Sequence, residues 1–248
     1  MEGKGEYKIM ANTFSRIFGL VLCLLSFSGC AATPTNPPGP PPPQNLIGST
    51  DELQLVTELS LNLAGEYGGD HILVVLEIDG TLLSMKPDQQ GNPCGPSSMD
   101  TGASVMQPMQ ADAAELIKRI QAAGMKVIVL TTRAPDCSEK TFTELSSNGF
   151  NFAAAAWPPR DGYPEPFVPE GGVRPVLYQN GVFFASGQDK GLMLKALLEK
   201  SSDPTPVLIV MTDSSRESLN EVMKIFSWSS TKVHAWRYTR EQAVAPGP

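Results

Sequence analysis

Two kinds of hydrophobic pattern alternate along the chain. Short stretches at 72–78, 126–131 and 207–211 are apolar at most positions and rich in Val and Ile, and the more mixed 232–238 reads as a last strand. Runs of that length suit strands buried in a parallel sheet. Between them the apolar positions take helical spacing. Leu53, Val56, Leu59, Leu61 and Leu63 follow the capping residues Ser49, Thr50 and Asp51, and Gly65, Gly68 and Gly69 stop them. Ala114, Leu116, Ile117 and Ile120 give a helix over 112–123 its inner face, with Lys118, Arg119 and Gln121 outside and Gly124 at its end. Further helices are expected at 139–148, 189–200 and 215–226, and an extended segment at 150–156. Gln179-Asn180-Gly181 between apolar triplets predicts a hairpin with a type I′ turn. Strand, helix and strand over 72–131 predict a right-handed parallel unit. Residues 84–108 and 157–174 are rich in Pro and Gly and are expected as loops.

The N-terminal pattern is of another kind. Lys4, Lys8 and Arg16 precede an apolar stretch at 17–27, too short to span a bilayer. Phe27-Ser28-Gly29-Cys30 follows. Small residues before a cysteine resemble the bacterial lipobox, which implies a signal peptide over 1–29 and acylation of Cys30; an ordinary signal peptide or a retained anchor is the alternative. Ala31 after the cysteine favours, by the same resemblance, the outer membrane, facing the periplasm. Pro34, Pro37, Pro38 and Pro40 to Pro43 follow, and polyproline II stiffens such a segment at about 3.1 Å per residue. Residues 30–48 therefore read as an acylated cysteine and its tether, 49–243 as one folded domain and 244–248 as a loose tail.

Charge narrows the partners. The chain of 248 residues carries a formal net charge of −7. The first 29 residues are slightly basic, so the body is more acidic than the whole. An acidic body argues against nucleic acid as partner. His71 and His234 are the only histidines, far apart in sequence, and read as structural. Neither a zinc-type His/Cys cluster nor a Gly-Lys-Ser/Thr phosphate loop occurs.

The most informative chemistry is Glu77-Ile78-Asp79-Gly80-Thr81, directly after the apolar run that ends at Leu76. Ligands of open α/β sheets bind beyond the carboxyl ends of the strands. Two carboxylates delivered there suit Mg²⁺ and a phosphoryl group. The stretch resembles the first motif of the haloacid dehalogenase superfamily, Asp-x-Asp-Gly-Thr, with Glu77 in place of the nucleophilic aspartate. Thr131, closing the second strand, is similar to the second motif. Lys190 in Gly187-Gln-Asp-Lys-Gly191 is similar to the third. Asp213 matches the second acid of the fourth, whose first acid is Thr212 here. A narrower resemblance, carried by Leu130-Thr-Thr-Arg133, by Thr141 to Phe152, and by Gly181 to Gly187 with Lys190-Gly191, is to an exported bacterial haloacid dehalogenase-like family without assigned function. The implied lipid-anchored architecture also resembles that of secreted acid phosphatases of the superfamily.

The resemblance implies an α/β, three-layer Rossmann-like fold with a parallel central sheet and small loop or hairpin insertions as cap. It implies that Glu77 attacks phosphorus, that Asp79 protonates the leaving oxygen and later activates water, and that Thr131, Thr132 and Lys190 hold the phosphoryl group. Glu77, Asp79 (through its carbonyl) and Asp213 are the implied Mg²⁺ ligands. Cys23 would leave with the signal and Cys30 would be acylated, so Cys94 and Cys137 remain in an oxidising compartment; neighbouring strands of such a sheet would bring them together as a disulfide. The expected function is a Mg²⁺-dependent phosphohydrolase of the cell envelope acting on a phosphorylated small molecule. Glu77 and Thr212 favour the alternative, a non-catalytic binding lipoprotein on the same fold.

Overall fold

The computed structural model describes residues 39–86, 94, 106–201 and 203–240. The signal peptide, Cys30, the first part of the tether to residue 38, most of the 84–108 insertion and the tail lie outside the described residues.

A seven-stranded sheet forms the centre, in the order β1 (Leu46–Thr50), β9 (Lys232–Tyr238), β8 (Leu208–Asp213), β2 (Ile72–Leu76), β5 (Lys126–Thr131), β7 (Val182–Phe184), β6 (Leu177–Gln179). All pairings are parallel except β6 with β7. Odd and even residues of the central strands feed different layers. Val74, Leu76, Val127, Val129 and Val210 pack with Leu53 and Val56 of α1 (Leu53–Tyr67), Leu116 and Ile120 of α2 (Ala113–Ala122) and Leu145 of α3 (Ser138–Ser147). Leu73, Val75, Ile128, Leu130, Ile209 and Met211 pack with Leu194 and Leu197 of α4 (Lys190–Lys200) and Leu219 and Val222 of α5 (Arg216–Phe226). Burial on both faces explains why these strands read as continuous apolar runs. The result is a three-layer, Rossmann-like sandwich.

The topology fixes where a ligand can go. From β2 the chain crosses to β5 and on to β7, then returns through α4 to β8 on the other side of β2. The crevice at such a reversal, above the strand ends, is where open sheets bind ligands. A tight turn follows β2: the amides of Thr81, Leu82 and Leu83 donate to the carbonyl of Ile78, and Gly80 sits at φ 76°, which favours glycine. β3 (Leu83–Met85) then pairs antiparallel with β4 (Met106–Pro108), framing the insertion.

Three expectations shift. The first strand starts at Leu46, inside the segment expected as tether, and pairs with β9 at the sheet edge. α1 is not capped by Ser49, Thr50 or Asp51: its N-cap is Glu52, and Thr50 Oγ1 instead accepts the Glu52 amide at 3.0 Å. The segment expected as extended at 150–156 contains a 3₁₀ turn, Ala153–Ala155. The hairpin is as expected, with Asn180 at φ 49° and Gly181 at φ 77°, the two positive values that a type I′ turn demands.

Candidate functional site

Glu77, Thr131 and Asp213 leave the ends of three adjacent central strands, and the Glu77 amide donates to the Thr212 carbonyl at 3.1 Å. Lys190 arrives from across the reversal as the first residue of α4, whose N-cap Asp189 accepts the Leu192 amide at 2.8 Å. Gly191 permits this approach, because a Cβ there would stand 2.4 Å from the Glu221 carbonyl oxygen on α5. A cleft of about 360 Å³ opens above, lined by Glu77, Asp79, Thr132, Lys190 and Asp213 among others.

Two ion clusters meet it, one through Glu77, Lys190 and Asp213 and the other through Asp79. In one, the Lys190 ammonium donates to Glu77 Oε2 and, at 2.6 Å, to Asp213 Oδ2. Burial pushes this ammonium down from its ordinary range, and the neighbouring Asp213 pulls the other way. The longer arm of Glu77 folds back, with Oε1 accepting its neighbour's amide, Ile78 N, at 2.7 Å. Asp213 Oδ1 accepts the Ser215 amide at 2.7 Å, so the same carboxylate also braces the start of α5.

In the other cluster the Arg133 guanidinium grips Asp79 with two bonds, Nη2 to Oδ1 at 2.8 Å and Nε to Oδ2 at 3.0 Å. Its Nη1 reaches Glu144 Oε2 at 2.6 Å and Thr141 Oγ1 at 3.0 Å. Burial alone would lower the guanidinium, but hydrogen bonds and charge from Asp79 and Glu144 raise it instead. Arg133 was visible in the sequence only as the end of Leu130-Thr-Thr-Arg133, and nothing there announced its partners. The Asp79 carbonyl accepts from Ser214 Oγ at 3.3 Å, and Thr81 Oγ1 accepts the Ser214 amide at 3.0 Å, which ties the two strand ends together.

The two threonines divide. Thr131 is fully buried, its Oγ1 accepting the Arg133 amide at 3.3 Å, while exposed Thr132 lines the cleft. The first acid of the fourth motif is replaced by Thr212, whose buried hydroxyl has no hydrogen-bond partner among the described residues. Sequence reasoning missed Glu221, which accepts the Lys190 amide at 2.8 Å and whose carboxyl is raised by burial and by the nearby Asp189 and Glu217.

Among the described residues, no group of three or more His, Cys, Asp or Glu side chains stands ready to hold a metal ion. The reason is local: the Asp79 carboxylate is turned to Arg133. What remains is the carboxylate pair of Glu77 and Asp213, drawn together by one ammonium, and the Asp79 backbone carbonyl. These are all oxygens, and the cluster has one carboxylate more than Lys190 can neutralise. Such a donor set fits a hard dication.

Cys94 and Cys137 are joined by a disulfide across 43 positions, beside the Arg133 cluster. Among the described residues no helix is long and apolar enough to cross a membrane.

No curated protein and no solved structure matches this chain. One family of proteins of unknown function, DUF2608, matches it over residues 97–246, which takes in Thr131, Arg133, Lys190 and Asp213 and begins after Glu77 and Asp79. That span is more than half of the sequence, and the chain belongs to this family.

Proposed function

We propose that the protein is a Mg²⁺-dependent phosphohydrolase of the haloacid dehalogenase type, acting on a phosphorylated small molecule. The observation that carries this reading is the Lys190 ammonium held between Glu77 and Asp213 at the sheet's reversal point, with Asp79 two residues beyond Glu77 on the same cleft. Phosphoryl transfer needs positioning and charge neutralisation, and these residues supply both. In the proposed reaction the Glu77 carboxylate attacks phosphorus. The bond to the leaving oxygen breaks, and that oxygen keeps the electron pair and takes a proton from Asp79. Water then attacks the phosphoryl group on Glu77 and gives its proton to Asp79; phosphate departs and the Glu77 carboxylate is restored. Lys190 offsets the negative charge of nucleophile and phosphate. A Mg²⁺ ion held by Glu77, Asp213 and the Asp79 carbonyl would supply further charge neutralisation.

Purified protein should release phosphate from an aryl phosphate in Mg²⁺ and lose that activity in EDTA. Asp79→Asn should cost at least about 100-fold, because it removes a positioned acid and base. Activity that is equal in both proteins would exclude this role for Asp79. One observation favours a second reading, a binding lipoprotein without turnover: Glu77 stands where the superfamily has aspartate, and its carboxylate is folded onto the Ile78 amide and Lys190.

Export and lipid anchoring complete the proposal, resting on the Cys30 motif and the prolines behind it. Metabolic labelling with palmitate should mark the wild type and not Cys30→Ser. Equal labelling of the two would rule the anchor out.

A further inference from the structure

We propose that Arg133 is the positioning residue for Asp79 and that it sets how well the enzyme handles poor leaving groups. The inference rests on the phosphohydrolase reading and adds to it a residue that the four motifs do not contain. The Arg133 side chain is 3% exposed, whereas Asp79 is 38% exposed and faces the cleft. A buried planar fork thus holds an accessible carboxylate by both oxygens, at 2.8 and 3.0 Å. Such a bidentate pair fixes the plane of the carboxylate as well as its place, which a lysine could not do.

Arg133 is itself fixed from behind. Glu144, at 1% side-chain exposure, and Thr141 hold Nη1, so both partners from α3 meet the same nitrogen. Its amide donates to Thr131 Oγ1, and its carbonyl accepts the Ser186 amide at 3.1 Å. Thr141 Oγ1 also donates to Cys137 Sγ at 3.5 Å, so the support reaches the disulfide. A buried arginine with a buried carboxylate at its back and an exposed one in front has a direction: it delivers Asp79 to the cleft. Each Asp79 oxygen keeps a second lone pair, which can carry the proton given to the leaving oxygen and later take one from water.

Orientation of an acid matters most where the leaving oxygen is most basic. Arg133→Met alone would strand Glu144, so Arg133→Met with Glu144→Gln is the variant to use, beside Arg133→Lys with Glu144 intact. The substrates are glycerol phosphate, with a poor leaving group, and 2,4-dinitrophenyl phosphate, with a good one. Loss of a well-aimed acid should lower kcat/KM about 100-fold for the first and less than about 10-fold for the second, in both variants. An equal fall for both substrates marks a structural role and overturns the proposal. A crystal structure of the double variant is the second arm. Asp79 is expected to leave its present orientation, and an unmoved Asp79 overturns the proposal. If the wild type releases no phosphate from any ester, the phosphohydrolase reading has failed by itself, and the position of Asp79 in that crystal structure still decides whether Arg133 holds it.

Discussion

Lys190 and Arg133 each sit between two carboxylates, at 1% and 3% side-chain exposure, and each holds a carboxylate that lines the same cleft. The difference lies in the cation and in what its partners face. Lys190 is a point charge on a flexible stem, and both its partners, Glu77 and Asp213, are nearly as buried as it is. Arg133 is a rigid fork with one buried partner and one facing the cleft. A point charge neutralises without dictating geometry, so on the proposed reading Glu77 and Asp213 are the carboxylates free to share their oxygens with an ion or phosphoryl group. A fork dictates geometry, so Asp79 stays aimed. The site thus divides into a part that balances charge and a part that holds an angle.

The first way to sharpen this contrast is to remove the point charge. Lys190→Met leaves Glu77 and Asp213 buried and uncompensated, and should cost about 3–5 kcal/mol of stability along with all turnover. Adding Glu77→Gln should recover part of the stability and none of the turnover. Urea melts of the three proteins measure this; a Lys190→Met melt that overlays the wild type would refute the buried-charge account.

A smaller effect is expected on the other side of the cleft. The Cys94–Cys137 bridge closes 43 positions next to the Arg133 cluster. On the chain-entropy argument its loss costs roughly 3–4 kcal/mol. Because Thr141 links Cys137 to Arg133, reduction should loosen the Asp79 side and spare the Lys190 side. Hydrogen exchange with and without reductant reads both sides at once. Equal deprotection of β5 and β8 would break the distinction.

The sequence carried the charge-balancing part well and the aiming part poorly. Strands buried on both faces must be apolar throughout, so β2, β5 and β8 were legible, and their ends located Glu77 and Asp213. Lys190 was legible because it opens a helix after a glycine turn. β1 was not: at the sheet edge its residues Leu46 and Ile47 are exposed, and its pattern differs little from that of a loop. The Arg133–Glu144 pair was hidden because it joins a strand end to the middle of α3, a contact set by tertiary packing. The second motif falls on Thr131, yet it is Thr132 that lines the cleft, since the turn after the strand decides which hydroxyl faces it. The 3₁₀ turn at Ala153–Ala155 was missed because three alanines carry no pattern that favours strand over turn.

The central claim is that residue 77 is the nucleophile of this cleft and that the folded-back glutamate is poorly placed for phosphorus, and Glu77→Asp tests it most directly. The shorter carboxylate gives up the fold-back onto Ile78 N and restores the reach of the superfamily's aspartate. With an aryl phosphate in Mg²⁺, the account predicts slow phosphate release by the wild type and faster release by Glu77→Asp, both abolished by EDTA. Wild type and Glu77→Asp that are equally inert while folded and disulfide-bonded would contradict it and leave the binding reading in its place. An active wild type that Glu77→Asp slows would instead make Glu77 the adapted nucleophile and refute the argument from reach.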